Sequence, residues 1–249
     1  MCYDTKNDIC GGGAMLRFLG RGSAFNTDNN CAFFAHGGRL FLLDCPMSAF
    51  HKMRIAGAEK LAGGRPENIT VLITHTHSDH IGGLGMLVHF SYFVWHIPVV
   101  VIAANDDIRQ DISYVLERLD GCDSSAYTII SPEDTGFTPV AVNHALPLEG
   151  RCFGWSFDID GQRVVFTGDT SSLEPFMPYL TDGAYLYTEA SAYDSPVHLH
   201  IDKLRALMPE LKSRNVKVFI MHLDDEETLC SAAEKIGAVP APLYIQADN

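Results

Sequence analysis

The sequence is short of cationic side chains, with 18 lysines and arginines against 31 aspartates and glutamates in 249 residues. The formal charge is −13, and the basic residues are scattered along the chain. Proteins that bind a nucleic acid backbone usually present a basic patch or stripe. A large polyanionic substrate is therefore disfavoured, while a small anion stays compatible with the composition.

Long apolar runs and a disulfide framework are also missing. The longest apolar stretch, residues 95–104, is interrupted by His96 and Pro98 and is far shorter than the roughly 20 residues of a membrane span. Residues 1–4 show neither the basic region nor the apolar stretch of a signal peptide. The seven cysteines are odd in number and form no Cys-x-x-Cys pair, which fits reduced thiols. These absences predict a cytoplasmic protein without a membrane segment.

The hydrophobic residues, 47% of the chain, alternate between strand-like and helix-like patterns. Short apolar runs bounded by turn residues predict strands, and longer amphipathic stretches predict helices. The predicted strands are 15–19, 31–35, 40–44, 69–74, 98–103, 140–143, 152–159, 163–167, 185–188 and 216–221. The predicted helices are 47–62, 81 into the aromatic run at 90–93, 107–119 and 202–208.

This order of elements predicts a mixed α/β (α+β) fold. Two strand-rich halves with helices on the outside favour two sheets packed face to face between helical layers. Residues 1–13 end in three glycines and are predicted to be a loose leader, and residues 14–249 are predicted to form a single domain. The segment 123–136 is expected to be a loop that contributes to specificity.

Four potential metal ligands lie within residues 75–80, whose sequence is HTHSDH, directly after a short apolar run. Alternate side chains of a strand point the same way, so His75 and His77 are expected to project together toward one metal ion. A turn would then place Asp79 and His80 on the other side, where they could hold a second ion. Imidazole and carboxylate ligands of this kind suit zinc, iron or manganese at hydrolytic centres.

Three further residues of ligand type each follow a predicted buried strand, and these are His144, Asp169 and His222. Loops at strand ends often carry functional side chains on a rigid frame. A single histidine or aspartate in such a place is usually a local hydrogen-bonding residue. The occurrence of several after buried strands favours a shared metal site.

These residues make the chain resemble the metallo-β-lactamase-fold hydrolases from about residue 15 to the C-terminus. The resemblance implies a four-layer αββα sandwich with two divalent metal ions, which are zinc by family habit, although manganese and iron also fit. The implied ligands are His75, His77 and His144 for the first ion and Asp79, His80 and His222 for the second, with Asp169 bridging both. Asp44 matches an aspartate that orients ligand imidazoles, and a simple turn carboxylate is the alternative.

Within this fold, the motifs most resemble the ribonuclease Z and phosphodiesterase branch. Glu189 and His198 are similar to a pair in which the carboxylate orients a histidine that assists at the phosphate. His198 is therefore the predicted general acid and Glu189 its partner, and Asp79 is counted with them as catalytic. His200 is either a rival to His198 at the substrate or a cap of the helix that begins at Asp202.

Two differences separate the chain from other relatives. Only 24 residues separate His144 from Asp169, too few for the tRNA-binding arm that ribonuclease Z carries there. No cysteine matches the second metal position of true β-lactamases, so antibiotic hydrolysis is not expected.

The motifs, the missing arm and the acidic charge together predict a dinuclear phosphodiesterase. It would act on a small cyclic, dinucleotide or nucleotide-like diester through a metal-bridging hydroxide. Hydrolysis of carboxylic esters, lactones or thioesters is the alternative, and a non-catalytic regulatory module that binds metal is a third option. A homodimer is one option for the assembly, and the aromatic run at 92–95 is either its interface or, the favoured interpretation, part of the core.

Overall fold

A computed structural model describes residues 14–244 of the chain, so the predicted leader at residues 1–13 lies outside the described residues. The strands are β1 (Arg17–Gly20), β2 (Cys31–His36), β3 (Arg39–Leu43), β4 (Ile69–Leu72), β5 (Val99–Ile102), β6 (Tyr127–Ile130), β7 (Thr138–Ala141), β8 (Phe153–Ile159), β9 (Gln162–Phe166), β10 (Tyr185–Glu189), β11 (Lys217–Met221) and β12 (Val239–Pro240). The α-helices are α1 (Met47–Ala56), α2 (Ala58–Ala62), α3 (Ser78–Ile81), α4 (Leu84–Phe90), α5 (Asp106–Ser113), α6 (Ile201–Ser213) and α7 (Glu226–Ile236). Helices α4 and α5 continue as π-helical turns over Ser91–Trp95 and Tyr114–Leu119, and 3₁₀ turns span Leu146–Leu148 and Glu174–Tyr179.

The strands form two mixed sheets of six strands, with the orders β1-β2-β3-β4-β5-β6 and β12-β11-β10-β9-β8-β7. Strands β1 to β3 pair antiparallel, and β3 to β6 pair parallel. The second sheet repeats this plan, with β7 to β9 antiparallel and β9 to β12 parallel. Parallel strands end at one edge of their sheet. The residues that follow β4 therefore lie at that edge of the first sheet, and those that follow β9 to β11 lie at that edge of the second. The two groups can meet where these edges adjoin.

The two sheets pack face to face through aromatic side chains. The ring centroids of Phe34 and Phe157, from opposite sheets, are 5.5 Å apart, and those of Phe18 and Tyr187 are 5.7 Å apart. Trp155 is fully buried between the sheets, and burial of side chains of this size stabilises the fold by roughly 1.5–3 kcal/mol each.

Helices cover both outer faces of the paired sheets. Phe50 of α1 and Ile108 of α5 are buried in the cluster that contains the first sheet, and Leu204 of α6 and Leu229 of α7 are buried against the second. This αββα sandwich confirms the predicted fold class.

Several predicted boundaries were wrong. The helix predicted over 47–62 is interrupted at Gly57, whose φ of 87° is a conformation that glycine adopts readily and other residues rarely do. The predicted loop at 123–136 contains strand β6, which extends the first sheet at its edge. Helix α7 and strand β12 were not predicted.

Most of the aromatic run at 92–95 lies outside the core, contrary to the favoured interpretation, and only Trp95 packs against the core. Tyr92, Phe93 and Val94 are all exposed, and Phe93 retains 67% of its accessible surface. The π-helical turn projects these side chains outward while the buried Ser91 faces the protein. Among residues 14–244, no helix has both the length and the apolar character needed to cross a membrane.

Candidate metal centre

The predicted ligands converge at the edge where the parallel strands of both sheets end. Residues 75–80 follow β4 in the first sheet. Asp169 follows β9, Glu189 ends β10 and His222 follows β11, which are three neighbouring strands of the second sheet. The site therefore lies where the two sheets meet and takes side chains from both.

Helix α3 directs His80 into the site. The turn expected after His77 is the beginning of this short helix. The carbonyl of His80 accepts a hydrogen bond from the amide of Cys45 (2.7 Å), and the Cys45 carbonyl accepts one from Gly83 (2.8 Å). A Cβ atom at Gly83 would lie 2.5 Å from the carbonyl oxygen of Pro46, so only glycine allows this close approach of the two segments.

The first ligand set comprises His75, His77 and His144, whose ring nitrogens lie within 4.8 Å of one another. Nε2 of His75 is 2.9 Å from Nδ1 of His77, and Nε2 of His144 is 3.4 Å from the same atom. Around a tetrahedral zinc ion with Zn–N bonds of about 2.0–2.1 Å, ligand nitrogens would be about 3.3 Å apart. The two separations, 2.9 and 3.4 Å, lie on either side of that value.

The second ligand set comprises Asp79, His80 and His222, whose ligand atoms also lie within 4.8 Å of one another. Oδ2 of Asp79 is 3.2 Å from Nε2 of His80 and 3.4 Å from Nε2 of His222. All three side chains therefore present an oxygen or nitrogen atom to a common point.

Asp169 lies between the two ligand sets. Its Oδ2 is 3.9 Å from Nε2 of His75 and 3.7 Å from Nε2 of His144, both in the first set. On the side of the second set, Oδ1 is 3.5 Å from Nε2 of His80 and Oδ2 is 3.4 Å from Nε2 of His222. A single carboxylate thus faces both sets, as a bridging ligand must.

Two buried atoms of the site have no hydrogen-bond partner within residues 14–244, and they are Nε2 of His80 and Oδ1 of Asp169. Buried polar atoms in folded proteins are almost always paired, so an orphaned nitrogen and oxygen 3.5 Å apart need an explanation. A divalent cation would satisfy both atoms. Imidazole and carboxylate donors fit zinc, manganese and iron.

The protonation states of His75, His144 and Asp169 favour metal binding. Burial lowers the pKa of His75 and of His144, so both imidazoles are neutral and keep a lone pair for a cation. Burial opposes ionisation of Asp169, but the adjacent His222 and His80 outweigh it and hold the pKa of this carboxyl well below its usual range. The carboxylate is therefore negatively charged at neutral pH. Burial lowers the pKa of His80, but the charges of Asp169 and Asp44 outweigh it and raise that pKa, so a bound ion would displace a proton from this ring.

Asp44 contacts the site from behind His80 and is fully buried. Its Oδ2 accepts hydrogen bonds from His80 Nδ1 (2.8 Å) and from the hydroxyl of Thr74 (2.7 Å). Its Oδ1 accepts one from the Thr74 amide (2.8 Å). These bonds fix the ring of His80 so that Nε2 faces the second ligand set, which is the orienting contact expected of Asp44.

Glu189 and His198 form a hydrogen-bonded pair beside both ligand sets. Oε2 of the buried Glu189 is 2.8 Å from Nδ1 of His198, and Oε1 accepts a hydrogen bond from the amide of Thr170. The His198 ring lies 5.0 Å from that of His144 and 5.4 Å from that of His222, between centroids. Burial lowers the pKa of His198, but the hydrogen bond and charge of Glu189 outweigh it and raise the pKa to about 9.

The structure places His200 at the N-terminus of α6. Its Nδ1 accepts a hydrogen bond from the amide of Asp202 (3.3 Å), which is a capping contact. The cap is one of the two roles considered for His200, and the role at the substrate stays a prediction.

Sequence reasoning missed Thr74 and Asp224. The hydroxyl of Thr74 lies 3.0 Å from Nδ1 of His75 in addition to its bond to Asp44. Asp224 accepts hydrogen bonds from the Ser191 hydroxyl (2.5 Å) and the Ala192 amide (2.9 Å), and so holds the segment that leads to His198. The positions of both residues immediately beside ligand segments were the available signal, but a threonine and an aspartate in turns carry no distinctive pattern.

The fold and the convergent ligand sets define a metallo-β-lactamase-fold hydrolase, a class whose fold implies divalent metal binding. Residues 39–238 match the family model described as the beta-lactamase superfamily domain, and the chain belongs to that family. It is 29% identical over 241 residues to the anti-Pycsar protein Apyc1 of Bacillus phage vB_BveM-Goe7, an alignment that covers 84% of this chain and 89% of that protein.

Solved structures share the same architecture. The metallo-beta-lactamase fold protein YhfI from Bacillus subtilis superposes with a TM-score of 0.70 at 17% identity, covering 94% of this chain and 97% of that one. The short form of human tRNase Z superposes with a TM-score of 0.64 at 16% identity, covering 93% and 98%. These similarities support the fold.

Proposed function

We propose that the protein is a dinuclear metal-dependent phosphodiesterase that acts on a small phosphodiester, with zinc as the favoured metal. The observation that carries this proposal is the Glu189–His198 pair beside two ligand sets joined by one carboxylate. Two divalent ions in such a site supply a water of lowered pKa as nucleophile and neutralise charge on the phosphate oxygens. A proton donor for the leaving oxygen must then come from the protein.

We assign the donation of that proton to His198. Its Nδ1–H donates to Oε2 of Glu189, which leaves Nε2 as the second proton-bearing atom of the imidazolium. The carboxylate keeps the ring protonated and fixes its orientation, so that Nε2 can protonate the leaving oxygen as the P–O bond breaks. Asp169 stays ionised between the two ligand sets.

A small substrate fits the surroundings of the site better than a folded RNA does. The segment between His144 and Asp169 holds only a 3₁₀ turn and the hairpin of β8 and β9, which leaves no room for a tRNA-binding arm. The net charge of −13 also opposes a long polyanion. We extend the proposal to a cytoplasmic location, supported by the cysteine pattern, and to a homodimer, for which the exposed run at 92–94 is one available surface.

The test is steady-state hydrolysis of bis(p-nitrophenyl) phosphate by zinc- or manganese-loaded protein, with elemental analysis of bound metal. We expect two ions per chain and metal-dependent turnover that is lost in Asp169→Ala. A fully loaded protein that hydrolyses lactones or thioesters but no phosphodiester would replace the proposal with acyl-ester hydrolysis.

A further inference from the structure

Phe25 and Tyr193 are large side chains left in solvent, with 103% and 64% of their reference surfaces exposed. Single exposed apolar residues are common and need no explanation by themselves. These two differ because each lies on a turn that is tightly bonded to the segment following a predicted metal ligand.

The turn that carries Phe25 lies between β1 and β2 and has a defined structure. The amide of Asn26 donates to the carbonyl of Ser23 (3.0 Å). The side-chain amide of Asn29 donates to the carbonyls of Ser23 (3.0 Å), Ala24 (3.2 Å) and Asn26 (3.2 Å). The backbone on both sides of Phe25 is therefore fixed, while its side chain is fully exposed.

This turn is attached to Leu223, the residue after His222. The Ser23 amide and the Asn26 side chain both donate to the Leu223 carbonyl, at 3.0 and 2.6 Å. The Leu223 amide donates in turn to the carbonyl of Arg21 (2.8 Å). Phe25 thus lies between two residues, Ser23 and Asn26, that are hydrogen-bonded to the residue after His222.

The turn that carries Tyr193 is attached to the next residue along the chain, Asp224. The Tyr193 amide donates to the Ser191 hydroxyl (3.0 Å), and that hydroxyl donates to Oδ2 of Asp224 (2.5 Å). The same segment continues to His198, the predicted proton donor. Tyr193 therefore lies on a segment that leads to His198 and is hydrogen-bonded to Asp224, two residues after His222.

The two exposed aromatic rings thus lie on turns that are hydrogen-bonded to Leu223 and Asp224, the two residues that follow His222. We infer that Phe25 and Tyr193 bind the planar base of a nucleotide diester at the rim of the metal centre, an inference that rests on the proposed function. Stacking on an aromatic side chain suits a neutral planar ring and tolerates any base, because every base has a π-face. It also needs no cationic group, which suits a strongly acidic chain.

The kinetic test compares a base-bearing 3′,5′-cyclic nucleotide with the abasic ribose 3′,5′-cyclic phosphate as substrates of metal-loaded protein. We expect Phe25→Ala and Tyr193→Ala each to raise KM for the cyclic nucleotide about tenfold, with kcat nearly unchanged. KM for the abasic diester should not change, and Tyr193→Phe should retain the wild-type value.

Phe93→Ala is the matched control. Phe93 is 67% exposed, close to the value for Tyr193, but lies before β5 begins, at the opposite edge of the first sheet from the metal centre. It should leave both KM values at the wild-type level. Equal KM changes for both substrates in the Phe25 and Tyr193 variants, or none for either, would overturn the inference.

A binding measurement separates this inference from the proposed function. The affinities of the metal-loaded wild type and the Phe25→Ala/Tyr193→Ala double variant are measured by calorimetry for a nucleoside 5′-monophosphate and for inorganic phosphate. A preference for the nucleotide that is lost in the double variant supports the base site even if no diester is hydrolysed. Diester hydrolysis together with an unchanged preference refutes the base site and leaves the phosphodiesterase standing.

Discussion

Replacing Glu189 with glutamine should move the alkaline limb of the pH–rate profile. The substitution keeps the size of the side chain and a hydrogen-bond acceptor for Nδ1 of His198, but removes the charge that raises the pKa of His198 from 6.5 to about 9. In the variant, burial still lowers this pKa while Asp169 and Asp224 still raise it, so it should return toward the ordinary value of 6.5.

The size of the effect follows from the fraction of protonated His198. At pH 8 a group of pKa about 9 is about 90% protonated, and one of pKa about 6.5 is about 3% protonated, which gives a difference of about 30-fold in kcat. Near pH 6 the two proteins should differ by less than about twofold on the same basis. Bound cations lower the pKa of His198 in both proteins, so the separation between the two profiles is the diagnostic quantity.

The assay needs a leaving group that requires protonation. A 3′,5′-cyclic nucleotide, which loses an alkoxide, is suitable, whereas p-nitrophenolate leaves readily without an acid. His198→Ala should remove the alkaline limb and lower turnover greatly with metal content intact. Superimposable alkaline limbs for wild type and Glu189→Gln, at equal metal content, would refute the assigned roles of both residues.

Three further substitutions test the contacts around the site. Asp44→Ala should weaken metal binding about 10–100-fold in a chelator competition titration, because it frees the ring of His80, and unchanged affinity would contradict this. His200→Ala should lower the free energy of unfolding by up to about 1 kcal/mol in urea titrations through loss of the cap, and a large drop in kcat would instead make it a catalytic residue. Gly168→Ala should destabilise the protein by more than about 1 kcal/mol, because φ is 59° and the new Cβ would lie 2.7 Å from the Phe153 carbonyl; an unchanged melting temperature would contradict that geometry.

Much of the fold could be predicted because the buried strands have unambiguous patterns. Strands β4, β9 and β11 are short apolar runs followed by ligand-type residues, and parallel strands of one sheet must end at the same edge. That rule places Asp169 beside His222 in the second sheet. Their convergence with residues 75–80 of the first sheet also requires the face-to-face packing of the two sheets. Strand geometry divided residues 75–80 between two ions, whereas the assignment of His144, Asp169 and His222 to those ions required the family resemblance.

The features that escaped prediction depend on long-range contacts. The interruption at Gly57 cannot be distinguished by periodicity from a continuous amphipathic helix, and β6 is a half-exposed edge strand with a weak apolar signal. The aromatic run at 92–94 has the composition of a core, but the turn of the chain exposes it. The hydrogen bonds of Thr74 to Asp44 and of Ser191 to Asp224 join segments that are distant in the sequence, so they form only in the folded chain.

The division of the ligands between the two sheets gives bound metal a mechanical role. Residues 75–80 belong to one half of the sandwich, and Asp169 and His222 belong to the other. Metal ions bound by these residues would therefore link the two halves. Ligand bound only by the native state at 100 times its dissociation constant adds about 2.7 kcal/mol to the free energy of unfolding. Chelation should therefore lower the melting temperature and increase hydrogen exchange first at this edge, where opening of the sandwich and release of the ions are one event.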